Sequence, residues 1–388
     1  MDISYIINQL GEERENYFNA VAPPLIQSSN FAFNGVADLK NKLQDESEHP
    51  FYTRGHNPTV AILRKKLAAL SHAEDALVFS SGSAAMATAV VNNVKAGDHI
   101  VCVAKPYSWT HKLLTNLLSR FGVEHTFIDG TVADNFANAI KPNTQLIILE
   151  SPNSLTFELQ DIPAVTAIAK ANDILTICDN SYSTALNQSP LLMGVDIVMH
   201  SASKYYGGHS DIVAGVLASS KKNIKKIFDD TYMTFGACIS PHDAWLMLRG
   251  LRTLPIRLER IANTTEKVVR FLEQHSKVEK VMWPWAIDNP QIELAKKQQC
   301  RAGGLFSILL KTKSKTDIEN FVNALKRFLI AVSWGGHESL VFPACVFHGE
   351  ESNYKNDLLP VNLVRVYCGL EEPAVLIEDL QQALGKIN

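Results

Sequence analysis

From about residue 60 the chain alternates short, continuous apolar runs with longer stretches of helical period. The runs are LVF at 77–79, HIVCV at 99–103, HTFI at 125–128, QLIILE at 145–150, ILTICD at 174–179, DIVMHS at 196–201 and IVAGVLA at 212–218. Segments apolar on both faces of the pleat, separated by helices, predict a mostly parallel sheet covered on both sides, a doubly wound α/β architecture. Residues 1–55 read differently: the extended VAPPLIQSSNFAF and the acidic LQDESEHP carry no period long enough to build a core, and we take them as an N-terminal arm. Past residue 240, PHDAWLMLRGLRTLPIRLERIANTTEKVVRFLEQH has the spacing of long amphipathic helices. Strand candidates GGLFSILL (303–310) and LVRVYC (363–368) and a helix at 373–384 follow. The expected organisation is an arm (1–55), a large α/β domain (56–240) and a smaller C-terminal α+β domain (241–388), with a soft boundary near 240. No internal repeat, low-complexity tract or Gly/Ser linker interrupts it.

Composition narrows the function. The 388 residues carry 37 Lys+Arg against 40 Asp+Glu, so no polybasic field draws in nucleic acid or anionic lipid. The run KKNIKK (221–226) reads as a solvated helix face. No apolar stretch approaches the roughly 18 residues of a membrane span, and the N-terminus lacks the pattern of a secretory signal. The six cysteines (102, 178, 238, 300, 345, 368) have no CxxC or zinc-ligand spacing and read as small buried hydrophobes, which suits a reducing cytoplasm. His200, His209 and His337 lack a paired helical spacing, and no metal is assigned.

Ligands of an open α/β sheet sit beyond the carboxyl ends of its strands. Three predicted strands end there in polar groups: Glu150 closes QLIILE, Asp179 closes ILTIC, and Ser201 closes DIVMH just before Ala202-Ser203-Lys204. Taken singly, Lys204 reads equally as a surface lysine and Asp179 as a turn former. As a set they supply what pyridoxal 5′-phosphate requires: a lysine for its aldehyde, an acid for its pyridine nitrogen and donors for its phosphate. Ser81-Gly82-Ser83 enters a helix from a strand, a turn that can hold an anion or simply cap the helix. Tyr52 and Arg54 flank a turn signal in FYTRGHNPT, where Arg54 is a phosphate ligand or an ordinary loop arginine. Arg365 stands midway along an apolar strand, which requires either a structural ion pair or a bound carboxylate.

With these residues laid out, the chain resembles the Cys/Met-metabolism PLP-dependent enzymes, the cystathionine γ-synthase-like family of fold-type I PLP-dependent transferases. The resemblance runs from PPLIQSSNF through YTRGHNPT, SSGSAA, ESPNSLTFE, CDNSYSTALNQSPLLMGVDIVMHSASKYYGGHSD, LRGLRTLPIRLER and SWGGHESL to RVYCGLEEP. It implies Lys204 as the lysine bound to the cofactor aldehyde, Asp179 as partner of the pyridinium nitrogen, and Tyr107 as the aromatic stacked on the ring beside substrate. It implies Gly82, Ser83, Ser201 and Ser203 as the phosphate cradle. Tyr52 and Arg54 then match residues that reach a neighbouring subunit's phosphate, so a catalytic dimer, paired again into a homotetramer, is implied. Arg365, helped by the Ser333 region, matches the clamp for the substrate α-carboxylate.

Family members share this machinery and differ in reaction. Ser154-Leu155 where synthases and γ-lyases usually have Asn-Pro, Trp334 where they usually have Leu, and Val332 where they usually carry glutamate all point to the cystathionine β-lyase branch. Tyr107-Ser108-Trp109 departs from the Tyr-Gly-Cys of methionine γ-lyases, whereas Asn57-Pro58-Thr59 looks like the γ branch. The expected activity is α,β-elimination of L-cystathionine. The rivals are γ-synthase, γ-lyase or O-acylhomoserine sulfhydrylase chemistry on the same scaffold and, in another class, a non-catalytic cofactor-binding protein.

Overall fold

The computed structural model describes residues 1–348 and 359–387. The chain divides into two compact units. Met1–Ser151, Gln160–Gly207 and Asp211–Thr253 make the first, and Pro152–Leu159, Gly208–Ser210 and Leu254–Asn388 the second. The helix Pro241–Arg252 belongs to the first unit, packed on the helix Pro58–Leu70, so the second unit's long C-terminal stretch begins at Leu254 rather than near 240.

Among the described residues the first unit holds a seven-stranded sheet: β1 (Asp75–Phe79), β2 (His99–Val103), β3 (Glu124–Ile128), β4 (Thr144–Glu150), β5 (Leu175–Asp179), β6 (Ile197–Ser201) and β7 (Gly215–Ser219). Their order is β1-β7-β6-β5-β4-β2-β3. The strands from β2 to β6 run parallel, and β7 is antiparallel to both β1 and β6. Each apolar run of the sequence therefore becomes a strand, and β2 and β7 are buried along their whole length, as continuous apolar runs require. The order places Gly215, the first residue of β7, in register with Phe79 at the end of β1 and with Ser201 at the end of β6. Both carboxyl ends therefore lie at one edge of the sheet, with the start of the antiparallel β7 between them.

Among the described residues the second unit holds a five-stranded sheet of order β10-β11-β12-β9-β8, built from β8 (Val278–Met282), β9 (Leu305–Leu310), β10 (Leu329–Ile330), β11 (Leu340–Pro343) and β12 (Leu363–Tyr367). The 20-residue helix Leu254–Glu273 and the helix Pro373–Leu384 pack beside it, with Phe306, Ile308, Val364, Val366, Leu376 and Leu380 in the core.

The first residues are less arm-like than their composition suggests. Asp2 caps a helix Ile3–Asn8, and its Ile6 and Ile7 are buried. Behind it, the buried Lys66 ammonium reaches Glu12 at 3.0 Å and donates to the carbonyls of Ile6 and Ile7, while Arg252 and Arg14 each hold Glu12 at 2.9 Å. A buried carboxylate shared by three cations pins the chain start to two helices that sequence alone places far apart. Four of the six cysteines (102, 178, 345, 368) are buried as expected. Cys238 is half-buried, and Cys300 is exposed because it falls in the turn after the helix Ile292–Gln298. No described helix is long and apolar enough to cross a membrane.

The buried His200 in β6 sets an acid limit on the first unit. Its Nδ1 lies 3.2 Å from the Asn180 carbonyl, its ring meets Tyr206 edge to face, and Nε2 has no hydrogen-bond partner among the described residues. A proton on Nε2 would be buried without an acceptor, so burial pulls the imidazole from 6.5 down to about 4. The folded pKa is depressed, so the associated stability is intact above pH 6.5 and drains away as pH falls toward about 4, by roughly 3 kcal/mol. In His200→Asn this portion of the acid loss should be missing. Urea unfolding followed from about pH 7 to about pH 4 checks it: parallel declines in the two proteins would refute the assignment.

Candidate active site

The carboxyl ends of β1, β4, β5 and β6 carry the polar groups of the first unit. Asp179 ends β5 and is buried. Ser181, two residues on, folds back through both its N–H (2.9 Å) and its O–H (2.6 Å) onto Asp179 Oδ1. Such a side chain to backbone turn is what an Asp-x-Ser sequence favours. The same Ser181 hydroxyl accepts the N–H of Ser201 at 2.6 Å, which ties the end of β5 to the end of β6. Burial raises the Asp179 carboxyl above its ordinary value, while the Ser181 hydroxyl and amide and then the Lys204 ammonium act to lower it. Asp179 and Lys204 thus sit within electrostatic reach of each other.

Lys204 follows β6 in a tight turn: its N–H donates to the Ser201 carbonyl at 3.2 Å. The Ser203 hydroxyl accepts the Ala214 N–H at 2.9 Å and donates to the Ala214 carbonyl at 3.3 Å, which fastens this turn to the entrance of β7. On the other flank the helix Gly82–Val91 starts directly after β1, capped by the Ser81 hydroxyl accepting from Ala84 N–H at 3.0 Å. Its first residue touches Ser201. A Cβ placed on Gly82 would lie 2.8 Å from Ser201 Cβ and 3.0 Å from its Oγ, so only glycine allows the helix start so close. Ser83, the next residue, is exposed at the helix opening.

Tyr107 caps the short helix Ser108–Lys112 after β2. The residue is 43% exposed, and its backbone N–H is held by Glu150 at the end of β4. Tyr52 and Arg54 lie on an exposed turn, the guanidinium 5.7 Å from the Tyr52 ring. Among the described residues neither makes a side-chain hydrogen bond or an ion pair.

Ser333, Trp334 and Arg365 belong to the second unit. Arg365 lies on β12 between Phe342 of β11 and Ser307 of β9 by register. Its guanidinium stands 5.3 Å from the Phe342 ring and donates to the Ser333 carbonyl at 3.3 Å. An aromatic face thus supports the cation inside an apolar sheet. The loop bearing Ser333 and Trp334 is bent through left-handed backbone at Ser333 (φ 74°) and Gly335 (φ 93°). It is braced by Tyr367 O–H donating to the Gly336 carbonyl at 2.8 Å. Glu371 accepts both the N–H and the O–H of Ser339, each at 2.8 Å.

The structure therefore assembles Gly82, Ser201, Ser203, Lys204 and Asp179 in one unit and Ser333 with Arg365 in the other. Ser181, Phe342, Tyr367 and Glu371 were not singled out by sequence. Only Ser181 had a local signal, its position two residues after a strand-end aspartate. Pyridoxal 5′-phosphate fits the first group: Lys204 offers the amine, Asp179 a buried acid beside a cation, and the Gly82–Ser201 junction a close-walled helix start of the kind that receives phosphate. Among the described residues, no group of three or more His, Cys, Asp or Glu side chains is arranged to hold a metal.

Comparison with known proteins gives the family. Residues 5–385 match the family described as Cys/Met metabolism PLP-dependent enzyme. The chain is 38% identical over 380 residues to an L-methionine gamma-lyase of Treponema denticola, covering 96% of this chain and 94% of the relative. It is 37% identical over 340 residues to the cystathionine beta-lyase MetC of Bacillus subtilis, covering 87% and 86%. The crystal structure of metB from Corynebacterium glutamicum superposes with a TM-score of 0.92 at 31% identity, over 99% of this chain and 98% of that one.

The Gly82–Ser201 contact yields a prediction. Gly82→Ala must push the helix start off β6, because the new methyl meets Cα and Cβ rather than the tip of a flexible side chain. We expect the variant to fold with a loss of about 1–3 kcal/mol and to bind the cofactor roughly tenfold or more weakly. Titration of apoprotein with pyridoxal 5′-phosphate measures this, and an unchanged dissociation constant would remove the helix start from the phosphate site.

Proposed function

Since this chain belongs to the Cys/Met-metabolism PLP-dependent enzymes, we propose that it is a carbon–sulfur lyase that cleaves L-cystathionine by α,β-elimination, giving homocysteine, pyruvate and ammonia with uptake of one water. The observation that carries the lyase reading is Lys204 in the turn that follows β6, within electrostatic reach of the buried, hydroxyl-braced Asp179 at the end of β5. The β-position of cleavage rests on the departures at residues 154–155, 332 and 334. One of these has a backbone consequence. Leu155 adopts φ 69°, which proline cannot, so the usual Asn-Pro could not be accommodated in this loop as it stands. Val332 presents an exposed apolar side chain where a glutamate would put a charge.

Pyridoxal 5′-phosphate, when bound, supplies an aldehyde that captures the substrate amine and a cationic ring that takes up the electron pair left at Cα. The residues of the chain do the rest. Asp179 holds the proton on the ring nitrogen, and Gly82, Ser83, Ser201 and Ser203 hold the phosphate. Tyr107 covers the ring, and Arg365, supported by Phe342 and Ser333, grips the substrate α-carboxylate with a planar pair of donors. Lys204 Nζ takes the Cα proton, and either it or the Tyr107 hydroxyl returns a proton to the departing sulfur. Breaking the Cβ–S bond releases homocysteine, and hydrolysis of the remaining three-carbon fragment gives pyruvate and ammonia.

A second reading is γ-elimination, favoured by the similarity to the Treponema denticola L-methionine gamma-lyase and by Asn57-Pro58-Thr59. Product analysis decides between them. With L-cystathionine we expect pyruvate and homocysteine; 2-oxobutyrate and cysteine as the main products would replace the β-reading with the γ-reading.

The assembly is part of the proposal. Arg54 and Tyr52 stand exposed and, among the described residues, without side-chain hydrogen bonds, as residues destined for a second subunit's phosphate would, and the reading includes a homotetramer made of two such dimers. Mixing Arg54→Ala with Lys204→Ala chains should then restore activity that each lacks, because some mixed dimers hold one site with both residues intact. If mass spectrometry of tagged chains shows subunit exchange and the mixture is no more active than its components together, the shared site is wrong.

A further inference from the structure

The motif ESPNSLTFE begins with a residue to which the reading above gives no part. Glu150 closes β4 and is buried, with only 6% of its surface exposed. A carboxylate out of water is costly unless strong donors meet it. Its own backbone N–H is already served by the Gln160 side chain at 3.1 Å. The Glu150 carboxylate instead crosses to β2's exit loop, where Oε2 accepts the backbone N–H of Tyr107 at 2.6 Å, in the short range of charge-assisted hydrogen bonds.

The loop that presents Tyr107 joins β2 to the helix Ser108–Lys112. It leaves β2 after Val103, is tied at its start by Ala104 N–H to the Ile128 carbonyl at 2.7 Å, and runs through Lys105 and Pro106. Tyr107 then turns the chain into a helix of only five residues. Its backbone hydrogen bond to Glu150 therefore contributes to where its side chain lies. Glu150 is also the register partner of Asp179 on the adjacent parallel strand, so the two carboxylates leave the same face of the sheet side by side. One holds the residue assigned to the ring's face and the other is assigned to the ring's nitrogen.

We propose that Glu150 is a positioning residue that sets Tyr107 relative to Asp179, acting through the Tyr107 backbone N–H rather than on substrate or cofactor. The inference rests on the reading of Tyr107 as the residue that covers the cofactor ring. A carboxylate is suited to the task because both its oxygens accept and neither donates, so it cannot turn a competing N–H toward the loop as an amide can.

A double-mutant cycle on the holoenzyme tests this. Glu150→Leu should lower kcat for L-cystathionine about tenfold or more, the worth of one hydrogen bond to a charged group, and weaken the visible circular dichroism of the bound cofactor. Cofactor affinity should stay within about threefold, since the lysine and phosphate contacts are untouched. Glu150→Gln, which keeps an acceptor but loses the charge, should fall between wild type and Leu and carries the test if the Leu variant does not fold. In a Tyr107→Ala background both substitutions should lose their effect on kcat and on the dichroism. If they cost the same factor with and without Tyr107, Glu150 acts independently and the proposal is overturned. Full activity in Tyr107→Ala alone would instead sink the reading of Tyr107, and the proposal with it.

Discussion

Keeping the Asp179 carboxylate out of water is the constraint on which the first unit's site depends. The cost of burial has to be offset locally, and the offset determines the neighbourhood. Ser181 turns back to give two hydrogen bonds, and its oxygen then receives the Ser201 amide, so the ends of β5 and β6 move as one piece. Lys204 comes next, in a turn whose carbonyl and hydroxyl contacts go to Ser201 and Ala214. An acid held in this way suits a cationic ring nitrogen: the ligand's charge removes the remaining penalty of burial, and the hydroxyl and amide keep the carboxylate oriented meanwhile.

The antiparallel β7 matters for the same reason. β1 and β6 are both antiparallel to β7 and so parallel to each other, which puts their carboxyl ends at one edge of the sheet. Inserting β7 head-first between them places Gly215 against both, and the helix that begins at Gly82 comes to rest on Ser201. The start of that helix and the serine that ends β6 are then in contact, where the phosphate is proposed to sit.

The second unit meets a cation in an apolar sheet with different means. Arg365 lies beside the Phe342 face and donates to a loop carbonyl, and that loop is itself bent through left-handed residues and tied down by Tyr367 and Glu371. Members of this family share the cofactor chemistry, so differences in reaction must arise in such peripheral loops. Here the departures at 154–155 and 332–334 fall in segments where single residues hold φ near +70°. In such segments a substitution alters the backbone path as well as a side chain.

The apolar runs of the sequence were enough to predict nearly every strand of the large sheet, because a strand buried on both faces has no polar positions to obscure it. The strand ends were equally legible, and with them Asp179, Ser201 and Lys204 as a group, since in an open α/β sheet a polar residue terminating an apolar run has few places to be. Family resemblance extended this to the cofactor and to Arg365. What sequence could not reveal depends on contacts between distant segments. The Lys66–Glu12–Arg252 cluster that pins the chain start, the Gly82–Ser201 junction, Phe342 beneath Arg365 and the bond from Glu150 to Tyr107 each join residues with no periodic or motif relation. Local propensity acts over a few residues, so it can place a side chain at the end of a strand. Which other chain end it meets there is set by strand order and register, and these arise only when the whole sheet closes its hydrogen bonds at once.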